Sequence, residues 1–316
     1  MPTPSSPAPT IAVRAAALAV VFAALMGTLL VGVRPWYTSW GTTLEERLRP
    51  LPGDGLVGGP VHETRAIAIA APAAQVFAWV AQIGQDRAGF YSYELLEDLV
   101  GCEMPDVRRL DPALQRWSIG SKLWMYPADE LDGRGHATLI HHEPGRALIF
   151  GTNTPSDPPG SAPTGSWSFV VEPTGPESSR LITRASGGAM PTLLGAAYTR
   201  AVFEPLHFAM ERRMLEGIRG FAEGRAISPT RDALTLASWF GAFVAFIAAG
   251  AAVLGGRGLW RPLAAFGASG GVFQVVTLAQ PSPLLSLGLV VGLALLLRPS
   301  ASAAARDATR VLESAA

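Results

Sequence analysis

The chain has a single cysteine, Cys102, among 316 residues. That excludes an internal disulfide and is compatible with an oxidising or a reducing compartment. Lysine is almost absent too: Lys122 stands alone and every other basic side chain is arginine, which with the abundant alanine, glycine and proline reads as coding bias. The 25 basic and 25 acidic residues cancel, so the chain lacks the basic excess of a nucleic-acid surface. No Walker motif occurs, and no G-x-G-x-x-G follows a strand-like segment. One string, Gly267-Ala268-Ser269-Gly270-Gly271, fits G-x-S-x-G. It lies inside an apolar run instead of a strand-to-helix elbow, so it carries no nucleophile. His136, His141 and His142 fall on one strand-like segment, where His141 points opposite to the other two. Two histidines without a third ligand make no metal site, and no metal or cofactor is expected.

What is present is a pattern of uncharged apolar runs, 15–33, 233–256 and 263–297, around a segment holding nearly all the charge. One membrane crossing takes roughly 20 apolar residues. The first two runs each suffice. The third would make a helix of about 52 Å, too long for a hydrocarbon core of roughly 30 Å. Pro281-Ser282-Pro283 divides it into 263–279 and 284–297. Four crossings are expected, with three as the alternative. Gly267/Gly271 and Gly288/Gly292 have the spacing that lets helices approach closely in lipid, or reflect only a glycine-rich composition. The stretch after the first run lacks an A-x-A-like cleavage site, which favours an uncleaved anchor. Trp36, Tyr37, Trp40, Trp239 and Trp260 stand where aromatic belts would lie. Arginines near the membrane are almost evenly split between its sides in the four-span arrangement; three spans would favour a cytoplasmic domain.

The domain boundaries follow: tail and anchor 1–33, linker 34–60, domain 61–226, transmembrane helices (three) 233–298 and a disordered tail 299–316. Within the domain, 64–70 alternates, with Arg65, Ile67 and Ile69 on one face and alanines on the other, as in a strand. Pro72 opens a helix over 73–83, and a second short helix is predicted at 93–100. Five strands follow, at about 121–126, 136–142, 147–151, 165–172 and 180–186. The segment 195–224 carries Phe203, Leu206, Met210, Met214, Ile218 and Phe221 at helical spacing, and Pro205 kinks it or marks its regular start. This order predicts an α+β domain whose curved antiparallel sheet grips one long C-terminal helix.

Several strings carry a family resemblance: Arg34-Pro35-Trp36 after the anchor, TRAIAIAAP at 64–72 and RAGFYSYELL at 87–96. Further ones are Gly120-Ser121-Lys122, Glu143-Pro144-Gly145-Arg146, and Glu204-Pro205-Leu206-His207-Phe208 followed by Met210-Glu211-Arg212. Over about 34–224 the chain resembles the START/Bet v 1-like (SRPBCC, polyketide cyclase/dehydrase-like) superfamily, in a membrane-anchored bacterial subgroup. The resemblance implies a helix-grip fold with an apolar cavity that binds a hydrophobic small molecule or lipid. It implies helix positions Phe203, His207, Met210 and Met214 and strand positions Trp124, Phe150, Trp167 and Phe169 as ligand-binding, with Tyr91 and Tyr93 at the entrance. Each of these side chains has ordinary core packing as its other reading. His207 sits among apolar neighbours with Glu204 at i−3, so it could bind a polar head or act as a base, or simply be hydrogen-bonded to Glu204 or a backbone carbonyl. A cyclase- or hydrolase-like enzyme using His207, Glu204, Tyr91 and Tyr93 is the alternative to a binding protein. The expected partners are a hydrophobic molecule and the membrane, in a multi-pass protein of a bacterial plasma membrane. Nucleic acid is not among them.

Overall fold

The computed structural model describes residues 9–297, apart from Val100, Glu103, Asp106, Pro155, Ser156, Pro159, Ala189, Pro191, Ala226, Ile227 and Arg257. The C-terminal tail and the first eight residues lie outside the described part. The chain forms two compact units. One is Leu30–Ser228; the other joins the residues before Leu30 to those from Pro229 onward.

The Leu30–Ser228 unit is α+β. Its six strands are β1 (Val61–Ile69), β2 (Lys122–Trp124), β3 (His136–Glu143), β4 (Ala147–Thr152), β5 (Gly165–Gly175) and β6 (Ser178–Gly187). They form one antiparallel sheet in the order β1-β6-β5-β4-β3-β2. Helices Ala73–Val80 and Glu94–Leu99 fall between β1 and β2, and helix Glu204–Ala222 follows β6. Each predicted element is found, most of them within a few residues of its predicted ends.

Strand alternation explains the two faces of the sheet. On one face Ile67, Ile69, Leu148, Phe150, Phe169, Val171 and Leu181 share a core with Val76, Trp79 and Val80 and with Met214, Leu215 and Ile218 of the long helix. The alternate residues Ala66, Ala147, Ile149, Val170 and Ile182 pack on Leu51. Leu51 comes from the segment expected to be a linker. That segment instead carries a short helix, Leu44–Leu48, started by a capping box in which Thr43 and Glu46 bond each other's backbone N–H. Buried Arg184 of β6 pins it down, donating to the carbonyls of Glu46 (2.6 Å) and Arg49 (3.1 Å) and to Asp54 (2.5 Å).

The long helix departs from its predicted apolar stripe. Met214 and Ile218 are buried, but Phe203 and Leu206 are exposed while Glu204 and Glu211 are buried. The polar residues 204, 207 and 211 recur at i, i+3 and i+7, so they share a face. That face meets arginines, which is why it can be buried with its charge (see below). Pro205 lies in the first turn of the regular helix, where its missing N–H costs nothing.

The helices of the other unit, the first of which runs on into the Leu30–Ser228 unit, match the apolar runs. Ile11–Tyr37, Pro229–Gly255 and Trp260–Ala279 are long and apolar enough to cross a membrane. Helix Pro283–Leu297 has 15 residues, about 22 Å, and falls short of a straight crossing. The break before it turns on Gln280 at φ 46°. Helix contacts use Gly270, where a Cβ would stand 2.5 Å from Leu25, and Gly267, where it would stand 3.3 Å from Val21. Nothing approaches Gly271, Gly288 or Gly292 within 4 Å among the described residues, so neither four-residue glycine pair acts as a unit. Arg14, at the edge of the first run, is buried and donates to the carbonyls of Val253 (2.8 Å) and Gly258 (2.9 Å). Two residues expected in aromatic belts are internal instead: Tyr37 stacks on Phe208, and Trp239 donates to the Val276 carbonyl at 2.8 Å. The polar atoms of both find partners inside the protein.

Candidate functional site

A charged cluster lies between β1 and the long helix, in the Leu30–Ser228 unit. Its centre is Arg65. Period two aims this side chain to the same face as Ile67 and Ile69, and it is fully buried. A guanidinium can be buried only if its donors are used. Arg65 Nε donates to the Tyr37 carbonyl at 2.9 Å. One terminal nitrogen pairs with Glu211 and the other with Glu63. The guanidinium carbon also sits 5.1 Å from the centre of the Phe208 ring, within cation–π range.

The remaining carboxylate oxygens are used as well. Glu211 Oε1 accepts from Trp167 Nε1 at 2.7 Å, and Glu63 Oε1 lies 3.3 Å from His207 Nδ1. His207 therefore pairs with Glu63 of the first strand, not with Glu204. Glu204 turns the other way, into a two-point pair with Arg34 at 2.6 and 3.0 Å, with Tyr37 donating at 3.4 Å. A helix neighbour at i−3 is a weak partner when an arginine offers a planar fork.

Electrostatics follow from this wiring. Burial works against a charged Glu63, but Arg65 and His207 beside it outweigh that and hold its carboxyl below the usual range. Burial likewise opposes protonation of His207; the hydrogen bond and charge of Glu63 overcome it and raise its pKa. With Nδ1 committed to Glu63, the Nε2 of His207 forms no hydrogen bond among the described residues. Its ring lies edge-on to Trp167 (centroids 5.6 Å) and stacks on Phe203 (5.5 Å). Roughly a quarter of the His207 side chain (26%) is exposed.

Glu63, His207 and Glu211 each offer one ligand atom within 4.8 Å of the others, a set that could bridge a divalent ion. Arg65 argues against that use. It already places a permanent positive charge on both carboxylates. The cluster carries its own cation.

The other predicted residues divide. Trp167 and Phe169 share a face as period two requires, with centroids 4.5 Å apart. Phe150, Phe169 and Met214 are buried in the core. Met210 is half-buried, its carbonyl accepting from Ser92 Oγ at 2.8 Å. Trp124 lies apart, against His136. Tyr91 and Tyr93, expected at an entrance, are both buried. Tyr91 has φ 55°, its hydroxyl accepts from Gln82 Nε2 at 2.9 Å, and its ring packs on Trp79 and Phe221. His136, His141 and His142 each have a separate neighbour: the Gly133 carbonyl, Glu143 and the Phe77 ring. The sequence carried one signal for the residues it left unassigned. Arg65 on an otherwise apolar strand face demands buried acids, and Glu63 and Glu211 supply them.

No protein-family model matches the chain, and no curated protein does. Among solved structures, a solution NMR structure from Thermobifida fusca aligns at 19% identity with a TM-score of 0.32, covering 52% of this chain and 96% of its own. A crystal structure of a protein from Mesorhizobium loti aligns at 14% identity with a TM-score of 0.28, covering 52% and 100%. Both are structural genomics targets, and likenesses this weak leave the fold to be defined by the strand order and contacts described above.

Proposed function

We propose that the Leu30–Ser228 unit is a membrane-anchored binding module for a hydrophobic small molecule or lipid, held in a helix-grip arrangement between the sheet and the long helix. The observation that carries this reading is His207: a partly exposed imidazole, paired through Nδ1 with Glu63 and set between the half-buried Trp167 and the exposed Phe203. Apolar walls with one placed polar donor are what an amphiphilic ligand needs. The protonated ring, held by Glu63, would donate to an acceptor or anionic headgroup. The antiparallel order, the two helices between β1 and β2 and the final long helix support the SRPBCC resemblance. The three apolar helices support a multi-pass protein of a bacterial plasma membrane, where a lipid would travel only a short way to the site.

A second reading, an enzyme, is favoured by one observation. Glu63–His207 is an acid–base pair, oriented in turn by Arg65. Under this reading His207 Nε2 moves a proton on a bound substrate.

The test is native mass spectrometry and lipid extraction of the full chain, purified in mild detergent from a bacterial host. A retained hydrophobic species, lost in Trp167→Ala and weakened in His207→Gln, is the expected result. A protein that retains nothing, and binds nothing from a total lipid extract, would sink the binding reading.

A further inference from the structure

We propose that the helical segment leading into the long helix is a lipid-docking surface, lying in the membrane interface. Large apolar side chains there are exposed to an extent found nowhere in the core: Leu193 is 93% exposed and Leu194 82%, and Tyr198, Val202, Phe203 and Leu206 are each about half exposed. They occupy consecutive turns from Leu193 through the wide turn Thr199–Phe203 to the start of Glu204–Ala222. This is ordered helix, begun by Thr192 Oγ1 accepting from Gly195 N at 3.0 Å. Its one charged residue before Glu204 is the exposed Arg200, of the sign that suits phosphate headgroups. An exposed apolar run about 20 Å long is too large to leave in water without a partner.

The position of the segment selects lipid as that partner. Helix Ile11–Tyr37 is apolar enough to span a membrane, and its charge-free part ends at Arg34. Arg34 holds Glu204 at 2.6 Å, Tyr37 stacks on Phe208, and Trp36 meets the same ring edge-on at 5.5 Å. The first turn of the long helix is thereby tied to the point where the span leaves the hydrocarbon. The apolar turns run directly into that first turn, and an interfacial helix buries such side chains about 5–10 Å into the headgroup and acyl boundary. The docking rests on the membrane reading of Ile11–Tyr37 and needs no ligand in the domain.

Site-directed spin labelling of the full chain in phosphatidylcholine–phosphatidylglycerol vesicles tests it. Labels go on Leu194→Cys and Val202→Cys, with Val20→Cys inside the span and Glu177→Cys on the β5–β6 turn as references. Cys102 is buried, and a sample without an added cysteine measures its background. Power saturation compares oxygen, which partitions into lipid, with a water-soluble nickel chelate. The expected result is oxygen preference at 194 and 202 approaching that at Val20, with Glu177 aqueous. Nickel access at 194 and 202 equal to Glu177, with Val20 in lipid, overturns the docking alone. Shielding of 194 and 202 from both reagents also overturns it, in favour of a protein partner. An aqueous Val20 overturns the membrane reading itself.

Discussion

Glu63 Oε1 and His207 Nδ1 lie 3.3 Å apart, joining the first strand to the last helix of the domain through a titrating pair. Around them stand three buried carboxylates, Glu63, Glu204 and Glu211, and two guanidiniums, Arg34 and Arg65. Protonated His207 is the charge that makes this set neutral. A raised histidine pKa is therefore the state that balances the cluster.

The sign of the pH dependence follows. A histidine whose pKa rises on folding contributes stability that is complete below its unfolded value near 6.5, and loses it as pH rises through the folded value. His207 should titrate above 6.5 by histidine NMR of the full chain, and Glu63→Gln should bring it down. Thermal unfolding should show wild type losing stability above about pH 6.5 more steeply than His207→Gln. Equal slopes would show that the pair does not share a proton.

Arg65→Met should destabilise the domain by about 3–5 kcal/mol, because it leaves Glu63 and Glu211 buried without their cation. Adding Glu63→Gln and Glu211→Gln to Arg65→Met should recover part of the loss. Urea unfolding followed by tryptophan fluorescence measures both. A mild single variant would mean that water enters the cluster.

Glu97 should act in the opposite sense to Glu63. Burial pushes its carboxyl up to about 7, aided by Glu94 and Asp98 and opposed by Arg213, and its Oε2 has no hydrogen-bond partner among the described residues. Between 4.5 and 7 the folded chain holds a proton that the unfolded chain has released, so stability falls as pH rises through that window. Glu97→Gln should be the more stable protein above pH 7, by on the order of 2 kcal/mol. Melting temperatures at about pH 5 and about pH 8 decide it, the two proteins converging at the lower value.

Gly217 lets the long helix approach Tyr91: a Cβ there would stand 2.4 Å from the Tyr91 carbonyl oxygen. Gly217→Ala should cost about 1–3 kcal/mol by forcing the two apart. The same substitution at Gly224, where nothing lies within 4 Å, meets no neighbour and is strained only by its φ of 69°. Denaturant midpoints of the two variants separate contact from backbone strain.

The strands and helices were legible because they depend on periods of two and 3.6 that local sequence carries. The same period placed Arg65 on the face of Ile67 and Ile69 and put Trp167 and Phe169 on one face. The site was less legible. Glu204 has the spacing to meet His207, yet Arg34 takes it, and His207 finds Glu63 on a distant strand. Phe203 and Leu206 fit an apolar stripe, yet face outward because Arg65 and Arg34 draw the acidic face inward.

By itself, the sequence determined the apolar runs, the order of elements, the shared face of Arg65, Ile67 and Ile69 and the absence of an internal disulfide, since each is written in neighbouring residues. Only the tertiary structure decided which acids neutralise Arg65, which partner orients His207, that Tyr91 and Tyr93 are buried, and that 34–60 is packed onto the sheet. Those outcomes depend on long-range pairing. A buried charge takes whichever partner completes its hydrogen bonds, and spacing along the chain does not reveal which one that is.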